Sequence, residues 1–330
     1  MWIVSPALAA ANNGNWHTAR RWQAFLSPIA SVEISLTWPN RPADALIALH
    51  ARRSAESIRA FHERYPNRGL GLVLTGTDVY RDIAKDASAA NSLELASHLV
   101  VLQDEALNEL SPAQRQRARV IVQSAASRIV ARKTIGTIDI VAVGHLRDEK
   151  DPATMMRAVQ GLPPDSPIRF IHIGSPLDET LAAQAEQTAL LCAQYQWLGG
   201  LTHLDTRRWI ARARALVHAS KMEGGANVVI EAIRSGVPVL ASAIPGNIGL
   251  LGRDYEGYFP VGDAAALTTL MTKFVNEPPF AQRLTQQCLA LTHRYAPAVE
   301  RAAVRQLLAD LLARSSQASL APNSTAANSK

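Results

Sequence analysis

Cysteine is nearly absent. The 330 residues hold two, Cys192 and Cys288, in separate helical patterns and in no CxxC or other metal-ligand spacing. That excludes a disulfide framework and a zinc site. Lysine is scarce as well: six of the 34 basic residues are lysine, and the arginines are dispersed. The net charge of +6 therefore forms no basic run of the kind that tracks a nucleic-acid backbone. Aromatic residues make up 5%, which leaves few stacking platforms for single strands. An anionic small substrate accounts for a modest basic excess equally well. No apolar run approaches the ~18 residues of a membrane span. The opening MWIVSPALAA lacks a basic n-region and reads directly as a strand, so the cytoplasm is the expected compartment. The nine histidines are scattered singly, no strand opens into GxGxxG, and GxxxxGK[ST] does not occur. An NAD-type dinucleotide site and a P-loop lose their support, and neither metal nor cofactor is expected.

What is present is alternation. Short β-branched runs recur as WIVSP (2–6), VEISL (32–36), ALIALH (45–50), GLVLT (71–75), HLVVL (98–102) and RVIVQ (119–123). The pattern restarts with DIVAVG (139–144), RFIHIG (169–174), YQWLGG (195–200), ALVHAS (215–220), VPVLAS (237–242) and YFPVG (258–262). Continuous apolar strands separated by helical patterns are the mark of parallel sheets covered on both faces. The restart divides the chain into two doubly wound α/β domains, 1–133 and 134–312, the second closed by C-terminal helices. Each has its ligand edge at the carboxyl ends of its strands, and two such edges facing each other make a cleft. The polar, aperiodic tail over 313–330 reads as disordered.

One stretch carries chemistry. In ASKMEGGANVVIEAIR (219–234) a strand ends, a small-residue turn follows, and a helix begins. Free N–H groups and the helix dipole at Gly225, Ala226 and Asn227 make an anion site, and Gly224 and Gly225 allow close approach of a phosphate. Glu231 lies one turn beyond Asn227 on the same helix face, where a carboxylate accepts from a ribose diol. Glu223, before the helix, accepts instead from sugar hydroxyls. The turn GHLRDEKDP supplies Arg147 and Lys150, cations that neutralise a leaving diphosphate without a divalent metal. Set among Asp148, Glu149 and Asp151, the same two residues also fit a solvated turn.

At this point the sequence resembles a family. Glu223 to Glu231 forms an E-x7-E motif like that of the retaining GT-B glycosyltransferases of family 4, and VGHLRDEKDP resembles that family's diphosphate-binding turn. The resemblance implies an α/β GT-B fold, with two doubly wound Rossmann-like domains facing across a cleft. It implies that Glu223 contacts the donor sugar and Glu231 the nucleotide ribose. The chain has EGGA where the family has EGFG. A narrower resemblance rests on SPALAAANNGNWHTARRWQAFL, ALIALHARRSAESI, VLTGTDVYRDI and EGGANVVIEAIRSGVPVLASAIPGNIGLLG. These blocks are very similar to the selenosugar synthases of selenoneine biosynthesis, which join selenophosphate to the sugar of a UDP-sugar, notably UDP-N-acetylglucosamine.

The first domain is then expected to hold the acceptor. Its strand-end loops carry Asn12, Asn13, Gly14 and Asn15; His50, Arg52 and Arg53; and Thr75, Thr77, Asp78 and Arg81. The helix after Gly14 offers free amides, and the arginines suit an anionic acceptor. Glu223, His50 and Asp78 are the candidate catalytic groups. Asp78 serves a hydroxyl-bearing ligand or caps the helix after TGT, and both readings stay open. The expected partners are a UDP-sugar and selenophosphate, with no nucleic acid and no membrane; nothing in the sequence sets an oligomeric state. Two other readings remain. One is a GT-B transferase or epimerase acting on a hydroxylated substrate, and the other is a non-catalytic nucleotide-sugar or nucleic-acid binding protein.

Overall fold

The computed structural model describes residues 1–11, 13–126, 133–134 and 136–320. The chain forms two compact units: Met1–Leu102 with Leu107–Ile121 and the chain from Arg301 on, and Gln103–Ala106 with Val122–Glu300.

The first unit is a six-stranded parallel sheet built from β1 (Trp2–Val4), β2 (Glu33–Ser35), β3 (Ala45–Leu49), β4 (Gly69–Leu74), β5 (His98–Val101) and β6 (Ala118–Val120), in the order β2-β1-β3-β4-β5-β6. β3 and β4 are buried along their whole length, as strands covered on both faces must be. Ile3, Ile47, Val73 and Val100 share one buried core with Trp22 and Leu26 of the helix Gly14–Leu26. The strand order reverses between β1 and β3, so the topological switch point of this unit falls between those two strands.

The second unit repeats the theme with β7 (Ile138–Val143), β8 (Ile168–Ile173), β9 (Tyr195–Trp197), β10 (Ala215–His218), β11 (Val239–Ser242) and β12 (Tyr258–Phe259). The order β12-β11-β10-β7-β8-β9 is that of the Rossmann fold. Its switch point falls between β7 and β10, which pair in parallel with Ala215 opposite Ile140 and Val217 opposite Ala142. Every expected strand is found within or next to its apolar run.

The division between units differs from the expected 133/134. Residues 122–126 belong with the second unit because Ser124 donates its N–H and its hydroxyl to the buried Glu300 at 2.8 and 2.6 Å, and Ala125 donates to the Tyr295 carbonyl. The C-terminal helix Pro297–Leu320 also departs from expectation, which placed residues up to 312 in the second domain and disorder from 313. Val304, Leu307, Leu308 and Leu311 form one helical stripe, and that stripe closes the core of the first sheet. Gly69 makes this contact possible: a Cβ there would lie 2.2 Å from the Leu311 carbonyl oxygen. The helix continues to Leu320, while residues 321–330 of the expected tail lie outside the described residues. Among the described residues no helix is long and apolar enough to cross a membrane.

Candidate functional site

In the second unit two loops meet at the switch point, the turn after β7 and the loop after β10. They are tied together at three places. The Lys221 N–H donates to the Glu149 carbonyl at 2.9 Å, the Lys221 ammonium donates to Asp148 at 2.5 Å, and the Lys150 ammonium forms a short ion pair with Glu223. Asp151 ends the turn in the left-handed region (φ 48°) and caps the helix Pro152–Gln160 by accepting from the Thr154 N–H at 3.4 Å, and it also accepts from the Thr154 hydroxyl at 2.7 Å.

Glu223 is the centre of this arrangement. Its Oε1 accepts from Lys150 and from the Ser220 hydroxyl at 2.8 Å, and His218 Nε2 lies 3.6 Å away. Burial alone would raise its pKa, but the Lys150 charge and then His218 outweigh burial and hold the carboxyl well below the usual carboxylate range. The backbone at Glu223 packs against Gly246, where a Cβ would stand 2.1 Å from the Glu223 carbonyl oxygen. Only a residue without a side chain fits there.

The helix Asn227–Arg234 starts directly after this loop. Its cap, Ala226, has no side chain able to accept, so no side-chain hydrogen bond satisfies the first-turn amides. Gly224, Gly225, Ala226 and Asn227 thus stand where the sequence places an anion site. Glu231 is 6% exposed and its Oε1 meets His203 Nε2 at 2.6 Å. His203 opens the neighbouring helix His203–Arg212 and is half exposed, so the pair reaches the surface. Arg147, on the turn after β7, lies 4.0 Å from Glu149, and its Nε has no hydrogen-bond partner among the described residues.

The first unit gathers a second cluster at the ends of β3 and β4, with several corrections to expectation. His50 adopts a left-handed backbone (φ 73°) and is buried. The Arg53 N–H donates to His50 Nδ1 at 3.4 Å, so Nε2 carries the proton and donates to the Thr77 hydroxyl at 3.1 Å. Burial lowers the imidazole pKa, against the opposing charge of Asp78, and the ring is neutral at neutral pH. Its lone pair is taken, which is not the state of a general base. Asp78 is fully buried and accepts the N–H groups of Ala51 (3.0 Å), Thr75 (2.9 Å) and Gly76 (2.7 Å). It organises the TGT loop, and it does not cap the helix that follows, whose cap position is Thr77 and carries no side-chain cap bond. The amides at the start of the helix Gly14–Leu26 are not free either, since Asn13 Oδ1 accepts from Asn15 and Trp16 at 3.1 and 3.2 Å. Gly14 is the first helical residue, and Asn12 lies outside the described residues.

The cations remain. Arg52 Nε donates to Asp82 Oδ2 at 2.9 Å and Arg81 Nε to Asp82 Oδ1 at 3.1 Å. Burial favours the neutral acid at Asp82, yet the hydrogen bonds from Arg52 and Arg81 override it and its pKa is lowered. One carboxylate thus holds two guanidinium groups that are each about 40% exposed, leaving one net positive charge. Arg53 is exposed, and Thr75 is half-buried with its N–H on Asp78. Asp82, His218, Ser220, Asn247 and His203 escape the sequence reading. The signal available for His218 is a polar residue in the otherwise apolar run ALVHAS.

Comparison with known proteins gives this arrangement a class. Residues 127–288, which contain the whole second-unit site, match the model of the glycosyl transferases group 1 family. With the two six-stranded parallel sheets, this defines an α/β protein of the GT-B glycosyltransferase fold. Among solved structures the chain is similar to HepE of Anabaena in complex with UDP and glucose, at 13% identity and a TM-score of 0.74 over 94% of this chain and 100% of that one. It is also similar to sucrose-phosphate synthase of Thermosynechococcus elongatus (15% identity, TM-score 0.76, 94% and 98% covered). A third likeness is to the UDP-forming alpha,alpha-trehalose-phosphate synthase of Burkholderia vietnamiensis (15% identity, TM-score 0.66, 83% and 75% covered). At these identities the likeness is one of fold.

Proposed function

We propose that this chain is a UDP-sugar-dependent glycosyltransferase whose acceptor is selenophosphate and whose product is a selenosugar, with UDP-N-acetylglucosamine as the donor. The observation that carries the donor half is the Lys150–Glu223 pair. It ties the loop after β10 to the turn after β7 at the switch point, beside a helix start with no side-chain cap. In this reading the diphosphate lies at Gly225–Asn227 with Arg147 and Lys150 near it, the ribose at Glu231, and the sugar at Glu223. Solved structures of the same fold bind UDP or UDP-glucose, which supports the nucleotide.

The acceptor half rests on the resemblance in both units and on the cations of the first. Selenium attacks the anomeric carbon, the bond from that carbon to the UDP oxygen breaks, and UDP departs with the electron pair. Water then cleaves the P–Se bond to give phosphate and the selenosugar. A chalcogen nucleophile that arrives ionised needs no base to deprotonate it. That fits a site where the lone pairs of His50 and Asp78 are engaged by backbone amides.

The test is UDP release from UDP-N-acetylglucosamine. It is expected only when selenophosphate is present, and it is expected to persist in EDTA, because fixed charges and amides stabilise the leaving diphosphate. Release lost in EDTA and restored by magnesium or manganese assigns that role to a metal. On the acceptor side, Arg52→Glu places a second carboxylate against Asp82. It is expected to raise the KM for selenophosphate about tenfold or more while the KM for the UDP-sugar moves less than about threefold. Equal KM values for selenophosphate in the variant and wild type remove Arg52 from the acceptor site. Gly246→Ala displaces the Glu223 backbone and is expected to lower kcat by roughly 10- to 100-fold. Wild-type kcat in that variant shows that the loop tolerates the shift.

A further inference from the structure

The donor reading gives Lys150 two duties, since it pairs with Glu223 and also neutralises the diphosphate. Once a diphosphate draws its charge, Glu223 needs another partner to stay in place. The end of β10 supplies one. His218 is 2% exposed, and Ser220, Ser242 and Asn247 are 1%, 0% and 0% exposed. Asn247 Nδ2 donates to the Ser242 carbonyl at 2.9 Å, an oxygen that can only accept. The amide is therefore oriented with Oδ1 towards His218 Nδ1, 2.9 Å away, and Nδ1 must carry a proton. Ser242 in turn donates its hydroxyl to the Ser220 carbonyl at 2.6 Å, which fixes the backbone between His218 and Glu223. With Nδ1 held by Asn247, His218 Nε2 points at the Ser220 hydroxyl (3.2 Å) and at Glu223 Oε1 (3.6 Å), while that hydroxyl reaches Glu223 Oε1 at 2.8 Å.

Resting on the donor reading, we infer that His218 is a positioning residue for Glu223. Oriented by Asn247 and acting with Ser220, its ring keeps the Glu223 carboxylate aimed at the donor sugar when Lys150 turns to the diphosphate. The order of hydrogen bonds runs from Ser242 through Asn247 and His218 to Ser220 and Glu223, buried at every link but the last, which is part-buried. The Ser220 hydroxyl gives its one proton to Glu223, so the His218–Ser220 link needs a proton on Nε2 as well as on Nδ1. Such a network is stiff because each member has its partners, and a carboxylate so held loses little freedom when it meets the sugar.

The test compares UDP with the intact UDP-sugar, since UDP lacks the sugar that Glu223 touches. His218→Phe keeps a ring and removes both hydrogen bonds, and Ser220→Ala breaks only the bridge, which guards against a variant that fails to fold. Both are expected to lower kcat by about tenfold or more, with the Kd for UDP within about threefold of wild type. His218→Gln, which keeps a donor on the Nε2 side, is expected to recover most of the turnover. Parallel loss of UDP affinity, kcat and melting temperature in His218→Phe and Ser220→Ala shows a merely structural role and overturns the inference, as does wild-type kcat in both. Imidazole 15N NMR of the wild-type protein gives a reading independent of turnover. Protons on both His218 ring nitrogens are expected, and a ring protonated on one nitrogen alone contradicts the assigned order. If the wild-type protein binds no UDP, the donor reading fails, and the NMR result still decides the hydrogen-bond order.

Discussion

Replacing Glu223 by Gln is expected to lower kcat by about 100- to 1,000-fold, the scale on which one preorganised electrostatic contact acts in a transition state. The change keeps the side-chain volume and removes the charge. Lys150 loses its counter-ion, and the Ser220 hydroxyl loses an ionised acceptor. In the proposed donor pose the sugar loses the carboxylate that orients it. UDP alone makes no use of that contact, so its Kd is expected to stay within about threefold of wild type. Leaving the Lys150 ammonium half-satisfied costs about 1–3 kcal/mol of stability, which a denaturation midpoint registers separately from turnover. Steady-state kinetics and calorimetry with UDP on the same preparation separate these effects. A variant with kcat within threefold of wild type contradicts the placement of the sugar at Glu223.

Glu231→Ala is expected to act the other way round. The nucleoside loses two ribose hydrogen bonds to a charged acceptor, and UDP binding weakens by ~1.5–3 kcal/mol, roughly 10- to 150-fold in Kd. Pyrophosphate, which has no ribose, is expected to bind the variant and the wild type alike. His203 loses its 2.6 Å partner, but it is half exposed and water replaces the carboxylate at little cost. Calorimetric titrations with UDP and with pyrophosphate decide the point. Unchanged UDP affinity, or equal loss for both ligands, removes the ribose from Glu231.

The sheets were legible because their strands are unbroken apolar runs, and burial on both faces demands that pattern. ALIAL and GLGLVL are buried at every position, so nothing in them alternates and nothing confuses the reading. The place of the loop after β10 was legible for a related reason: a glycine pair between an apolar run and an amphipathic one marks a strand-to-helix turn, and the turn stands there. The unit that the last helix joins was not legible. Val304, Leu307, Leu308 and Leu311 announce a helix with one apolar side, but a stripe carries no address. Its docking is decided by Gly69, more than two hundred residues earlier, where a missing Cβ lets the helix backbone come close.

In the first unit the polar residues stand at strand ends as the sequence places them, but their side chains turn to the backbone. His50, Asp78 and Asn13 are polar groups at strand ends, as ligand groups are. Each is instead turned to a backbone amide within a few residues or on the next loop. A short polar side chain near free amides satisfies them by itself, and sequence spacing does not distinguish that use from ligand binding. Asp82 was hidden because a carboxylate next to Arg81 in a helical stretch resembles a solvated pair. Its significance comes from Arg52, thirty positions away. His218 likewise depends on Asn247 and Ser242, which belong to other elements.

The central claim, transfer of a sugar from UDP to selenium, is tested most directly by mass spectrometry of the products formed from UDP-N-acetylglucosamine and selenophosphate. The expected products are UDP, phosphate and an N-acetylhexosamine carrying one selenium atom with its characteristic isotope pattern, formed by the wild-type protein and abolished or nearly so in Glu223→Gln. UDP release with no selenium in the sugar product, or glycosylation of a hydroxyl acceptor in preference to selenophosphate, contradicts it.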